Sequence, residues 1–309
     1  MAALTLLEAA KLNNGTDAER AIIEIYAGSS DILTYLPFRS IEGNALAYNR
    51  EQTLPSIGFR GVNESYTPSV GILNPLTETL TIAGGEIDID RFILQTQGRE
   101  QKAVQTSMKV RSLGLAWTKK FFKGDSLSDP REFDGLQVRV TGNQKIAAGS
   151  TANGTPLSLA KLDEAIDQTF NPTHIVMNKA MKRRITAAVR NTSVGGFISM
   201  GVDMFGKPIE MYNGLPILTV DLDETGASIL PFTEAATSGT ATATSIYVLS
   251  VGSLGLTGLQ NGGMDVRDLG ELQTAPVERT RIEWYSSIAA FHGRSVTRLY
   301  SISDAAVTA

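Results

Sequence analysis

The segment from Glu42 to Leu76 constrains this chain more than any other stretch. It runs 35 residues with no helical period, four glycines, three prolines and only scattered apolar residues. Structureless loops of this length are uncommon inside compact domains, where they are either functional or disordered. Fixing the backbone of each residue costs about 1–2 kcal/mol in conformational entropy. The eleven large apolar side chains between Leu46 and Leu76 are too few to offset that cost, even fully buried. An isolated two-stranded ribbon is itself marginal in water. The segment therefore needs a second surface. Its charged residues Arg50, Glu51, Arg60 and Glu64 mix both signs, as a contact between copies of one surface requires. The expectation is an arm laid over a neighbouring identical subunit. Its contact residues are expected to be Tyr48, Arg50, Glu51, Leu54, Ile57, Phe59, Arg60, Glu64 and Tyr66.

The rest of the chain can carry such an arm. Of 309 residues, 42% are apolar and 19% charged, an ordinary globular mix for one large domain or two smaller ones. The net charge of -4 gives no global basic field to recruit nucleic acid or an anionic membrane. The absence of cysteine excludes disulfides, thiolate metal sites and cysteine nucleophiles. The longest uncharged run, 235–264, is diluted by Ser, Thr and Gly and falls short of a membrane span, so no membrane partner is expected. The N-terminus lacks the basic start of a signal peptide. Capping-box spacings at Thr5/Glu8 and Thr16/Glu19 predict short helices there.

Periodicity organises the chain beyond the arm. In TETLTIAGGEIDIDRF the apolar positions change phase between Leu80/Ile82 and Ile87/Ile89, which predicts one long strand with a β-bulge at Gly84 and Gly85. Asp90 can then cap a helix spanning 91–123. Its Val104, Met108, Val110, Leu113, Trp117 and Phe121 recur at helical spacing, a break near Gly98 is allowed, and Gly124 ends it. Beyond it a strand LQVRVTG, a helix LAKLDEAIDQTF, a strand HIVMN and a helix KAMKRRITAAVRN read as an α/β unit. Strands in IEMYNGLPILTVD, a flexible Ser/Thr/Ala loop over 233–244, a strand SIYVLSVG and a β-rich C-terminal part complete the chain. The fold class is α+β with an inserted α/β subdomain.

No enzymatic constellation is visible. GVDMFGKP, 201–208, has the phosphate-loop glycines and lysine but ends in proline where a magnesium-binding hydroxyl belongs. His174 and His292 have no metal-ligand neighbours at helical spacing and read as structural histidines. The pairs Asp88/Asp90 and Asp221/Asp223 read as salt-bridged or solvated rather than metal-binding. KKFFK at 119–123 and KRR at 182–184 lack aromatic interleaving and read as charged helix surface rather than a nucleic-acid site. No catalytic residue, cofactor or metal is expected.

The order of parts, and the strings that carry it, resemble a known family. EGNALAYNREQTLPSIGFRGVNE, IVMN before a helix, YNGLPILTVD after it, LQNGGMDVRDLGE and RTRIEWYSSIAAFH together resemble the HK97-like major capsid proteins of tailed double-stranded DNA bacteriophages. The likeness covers nearly the whole chain and lies in the order of the strings more than in any one of them. It implies an HK97-like capsid fold with an N-terminal arm (1–37), an extended hairpin loop (38–82), a peripheral domain with a spine helix (83–145), an axial domain (146–250) and a C-terminal return to the peripheral domain (251–309). It implies self-assembly into hexamers and pentamers of an icosahedral shell, built in the host cytoplasm and found in the virion. The implied partners are further copies of the chain, a portal protein, decoration proteins and packaged DNA held without sequence-specific contacts. Modest acidity fits that use, because a strongly basic inner wall would grip the genome.

The sequence departs from the family's type member at the extended loop. There a loop lysine joins a neighbouring asparagine, but here no lysine lies between Lys11 and Lys102. Shell stability is therefore expected to rest on non-covalent contacts or on decoration proteins. Only about 40 residues precede the loop, so a separate scaffolding protein is expected. Two other readings stay open: an encapsulin-type compartment shell, which shares the fold, and a monomeric enzyme with a mobile lid at residues 42–76.

Overall fold

The computed structural model describes residues 30–97, 100–189, 198–202, 208–237, 239 and 241–308. Both capping boxes lie outside these residues. Among the described residues the first element is a short helix α1 (Asp31–Tyr35) whose Ile32 and Leu33 are buried. A three-residue strand β1 (Phe38–Ser40) comes next, and then the arm: β2 (Ala45–Thr53) and β3 (Ile72–Thr79) pair antiparallel as a separate two-stranded sheet. The strand after it, β4 (Thr81–Asp90), belongs to a different sheet. The expected single long strand is thus two strands, parted at Leu80, whose N–H bonds to Asn44 O at 2.8 Å and closes the arm's base.

The expected bulge is also absent. β4 pairs residue by residue with β14 (Val277–Ala290), from Thr81↔Ser286 to Asp90↔Val277, without a register shift. Ala83, Gly85, Ile87 and Ile89 face inward, and Ile82 simply points out, 71% exposed. The glycines serve close approach instead. A Cβ on Gly84 would collide with the Ile282 carbonyl, and one on Gly85 would lie 2.5 Å from Lys109 on the helix crossing above.

Asp90 caps that helical segment, its Oδ1 accepting the Phe92 N–H at 2.7 Å. Helices α2 (Arg91–Gln97) and α3 (Glu100–Lys123) come after it. Gly98 lies outside the described residues. At 24 residues α3 is about 36 Å long. Its core face begins at Val110: Val110, Trp117, Phe121 and Phe122 are in the core, whereas Val104 and Met108, expected on the same face, are exposed. LQVRVTG is not a strand. Leu136–Arg139 forms one helical turn, α4, because Leu136 and Val140, four apart, both drop into the core.

Strand β5 (Lys145–Ala147) comes next, a short strand that the sequence reading did not contain, whereas helix α5 (Leu159–Gln168), strand β6 (His174–Asn178) and helix α6 (Lys179–Val189) agree with it. Then come β7 (Ile198–Val202), β8 (Pro208–Tyr212) and β9 (Leu215–Val220). Asn213 and Gly214, with φ of 48° and 78°, make the left-handed two-residue turn between β8 and β9. The Ser/Thr/Ala segment is not simply a loop: β10 (Glu234–Ala235) pairs back onto β11 (Ala241–Leu249). β12 (Leu256–Gln260), β13 (Asp265–Glu271), β14 and β15 (Val296–Ile302) finish the chain.

Two larger sheets result. In the first, β12 and β13 lie along one edge of β14 and β4 along the other, with β1 parallel to β12. The second has the order β5-β15-β11-β6-β9-β8-β7. One face of this second sheet packs Ile175, Met177, Ile246, Val248 and Leu299 against α5 and α6. Its other face sends Val176, Leu218, Tyr247 and Leu249 into the core built around the end of α3. Covered on both sides, HIVMN reads as an unbroken apolar run rather than an alternating one. Trp117 sits where the pieces meet, with its ring centroid 5.5–5.7 Å from those of Phe38, Phe121, Phe133 and Trp284.

Candidate assembly surface

The arm divides into an anchored base and a bare tip. Residues 54–71 form no helix or strand and are exposed throughout. Leu54, Ile57, Phe59, Val62 and Val70 have relative exposures of 70%, 89%, 103%, 92% and 85%. Monomeric surfaces rarely gather this much apolar area in one place, and such a concentration marks an interaction site. The tip's shape is set by local polar bonds. Arg60 donates to Glu64 O at 3.1 Å and stacks over Tyr66 at 5.2 Å, Glu64 accepts the Gly61 N–H at 2.8 Å, and Ser69 donates to Ser56 O at 2.8 Å. Of the nine expected contact residues, the tip holds Leu54, Ile57, Phe59, Arg60, Glu64 and Tyr66, all exposed, and Arg50 and Glu51 sit on β2 just before it.

Tyr48 differs from the others, because it is engaged within its own chain. Its ring meets Phe291 edge-on at 4.9 Å, and its hydroxyl lies 3.1 Å from Ala290 O and 3.2 Å from Glu78 Oε1. Burial, with the Glu78 charge beside it, pushes the phenol up to about 12. Leu46, Tyr48, Leu80 and Phe291 cover a small cluster of Ile41, Leu259 and Ala289. Glu78 also accepts hydrogen bonds from the two terminal guanidinium nitrogens of Arg139, Nη1 and Nη2, at 2.5 and 2.7 Å. Sequence reasoning missed Arg139 and Phe291. They stand 61 residues from Glu78 and 243 from Tyr48, and no local pattern links them.

The remaining candidates resolve into structural roles. Asp88 pairs bidentately with Arg279 at 2.6 and 2.7 Å, which holds its exposed carboxyl below the usual range. Asp221 pairs with Lys179. Asp223, almost wholly buried, accepts Lys119 at 2.8 Å, the Thr225 hydroxyl at 2.7 Å and the Thr225 and Ala227 N–H groups at 2.9 Å. Those donors, Lys119 first, hold its carboxyl far below the ordinary range. In KKFFK, Lys119 and Lys120 pair with Asp223 and Glu132, the phenylalanines are core, and burial pushes the Lys123 ammonium down. Of KRR, Arg184 pairs with Asp304, and Lys182 lies 3.9 Å from Glu210. His292 stacks on Phe170 at 4.3 Å, and His174 packs on Tyr35 at 5.1 Å. The glycine-lysine motif begins in β7, which pairs antiparallel with β8; residues 203–207 lie outside those described. Among the described residues no cluster of His, Cys, Asp or Glu could hold a metal, and no helix is long and apolar enough to cross a membrane.

Comparison with known proteins separates sequence from fold. No protein-family model matches the sequence, and no curated protein matches it. Solved structures do match. The SrpI encapsulin of Synechococcus elongatus PCC 7942 aligns with a TM-score of 0.63 at 18% identity, over 97% of this chain and 96% of that one. The capsid of a native GTA particle aligns at 0.62 and 14%, over 89% and 90%. The chain has the HK97-like capsid fold. Mycobacterium phage Bobi gives a TM-score of 0.61 at 12% identity, over 96% of this chain and 98% of that one. The HK97-like fold therefore spans almost the full length.

Proposed function

We propose that this chain is the major capsid protein of a tailed double-stranded DNA phage, assembling into hexamers and pentamers of an icosahedral shell. The bare apolar tip of the arm carries the reading. It is a surface that the chain leaves uncovered and that a second copy can cover. In this reading residues 1–37 are the N-terminal arm, 38–82 the extended loop, 83–145 the peripheral domain, 146–250 the axial domain and 251–309 the return. Eight of the nine arm residues, Arg50, Glu51, Leu54, Ile57, Phe59, Arg60, Glu64 and Tyr66, supply the inter-subunit contact, and Tyr48, engaged within its own chain, gives the arm a fixed base. Portal, scaffolding and decoration proteins and packaged DNA are the further partners.

Electron microscopy of the purified protein, with and without a co-expressed scaffold, tests the proposal. Closed shells are expected; stable monomers at every concentration in sedimentation would instead revive the lidded-enzyme alternative. The likeness to SrpI encapsulin over 97% of the chain favours a second reading, a compartment shell enclosing protein cargo. Nuclease-treated particles that retain DNA support the phage capsid, and particles filled with protein support the compartment.

A further inference from the structure

We propose that Arg139 is the positioning residue of the arm, and that its pairing with Glu78 sets the angle at which the β2–β3 hairpin leaves the body.

The hairpin shares no strand pairing with either larger sheet. It joins the body through the chain at Ile41–Asn44, where Gly43 has a φ of 91°, and through Leu80. Two such connections leave a hinge axis about which a stiff ribbon can swing. Side chains must fix the angle: Leu46 on β2 adds apolar packing against the body beside Glu78, which carries no direction, and the polar contacts of two further hairpin residues supply the rest. Tyr48 on β2 rests on Phe291 and donates to the body's backbone, but a ring edge and one hydroxyl tolerate sliding. Glu78 on β3 faces a planar fork: Arg139 Nη1 at 2.5 Å and Nη2 at 2.7 Å. Two parallel charged hydrogen bonds impose direction as well as attraction.

The fork is itself held. Arg139 Nε donates to Asp134 O at 2.6 Å, so all three guanidinium nitrogens are engaged. The turn that carries it is fixed by Leu136 and Val140 in the core and by Gly135 N–H bonding to Gly124 O at 2.8 Å, at the end of α3. Arg139 thus ties the hairpin's angle to the spine helix. The pair is mostly shielded, with side-chain exposures of 17% and 14%, so water screens it little. Beside it lies a polar cavity of about 360 Å³ bordered by Tyr48, Arg50, Glu78, Arg139, Gln144 and His292. Packing does not fill that space, so the hairpin base has room to move once the fork is gone. From Glu78 to Ile72 the ribbon extends about 20 Å, so a rotation of about 10° displaces its far end by about 3–4 Å. A shift of that size takes apolar contacts at the tip out of van der Waals range.

The consequence for assembly rests on the shell reading, whereas the positioning itself does not. The test uses the full chain with Arg139→Ala, Glu78→Gln and the exchanged pair Glu78→Arg with Arg139→Glu. Hydrogen–deuterium exchange is read on unassembled subunits, and particle yield and diameter by electron microscopy. Loss of a charged bidentate bond is expected to speed exchange across 45–53 and 72–79 by about tenfold. Exchange in β4 and β14 is expected to stay at the wild-type level. The exchanged pair is expected to recover part of the protection, and the single variants to give fewer or irregular particles. Unchanged exchange in the hairpin overturns the proposal, as does a loss spread equally through β4 and β14, which would make Arg139 a general stabiliser. Should the wild-type chain never assemble, the shell reading fails while the exchange data still decide the role of Arg139.

Discussion

Replacing Ile57 and Phe59 together by serine separates assembly from folding. The two side chains have relative exposures of 89% and 103%, so the isolated subunit gains nothing from burying them. Substitutions at such positions change stability by about 0.5 kcal/mol or less. If a neighbouring copy covers them in the shell, each contributes about 1.5–3 kcal/mol on assembly. The double variant then loses about 3–6 kcal/mol per arm, and with tenfold per 1.4 kcal/mol its contact weakens by about 10² to 10⁴. Static light scattering over a concentration series reads the assembly threshold, and urea denaturation of the unassembled subunit reads its stability. The expected result is a threshold raised out of the accessible range with an unchanged urea midpoint. An unchanged threshold refutes the arm as an inter-subunit contact. A midpoint that falls with the threshold shows the tip packing on its own chain, contrary to its exposure.

Three further outcomes rest on named contacts. Gly84→Ala is expected to cost about 1–3 kcal/mol in urea denaturation, because its Cβ would collide with the Ile282 carbonyl; a neutral result would mean that β4 and β14 separate more easily than their register suggests. Asp223→Asn should destabilise the protein at neutral pH, with a penalty that shrinks on acidification. Asp223's depressed carboxyl contributes stability that is present above the unfolded value of about 3.9 and is lost as pH falls towards the folded one, so a penalty still constant at pH 3 contradicts the Lys119 pairing. Denaturing gels of assembled particles are expected to show single chains, since no loop lysine exists to form an isopeptide bond; covalent ladders would show another donor at work.

Much of the fold was legible because it is written in local periods. HIVMN, the helix after it and the hairpin around Asn213-Gly214 need only apolar runs, helical spacing and a turn that demands positive φ. LQVRVTG misleads because four helical residues are too few to display a period, and its alternating valines mimic a strand. The end of α3 and the Gly124–Gly135 contact decide it instead. The glycines of β4 mislead for a related reason, since a change of apolar phase looks the same whether a bulge resets the pleat or a helix needs room overhead.

By itself the sequence determined that an extended, under-filled arm exists, that it lacks the lysine for a covalent link, and that α+β elements come after it in a particular order. These are matters of composition and spacing along the chain. Tertiary structure alone decided which end of the arm is anchored, that Tyr48 belongs to the base and that Arg139 holds Glu78. Those partners lie tens to hundreds of residues apart, and a guanidinium finds its carboxylate only after two sheets and a helix have brought their backbones into register.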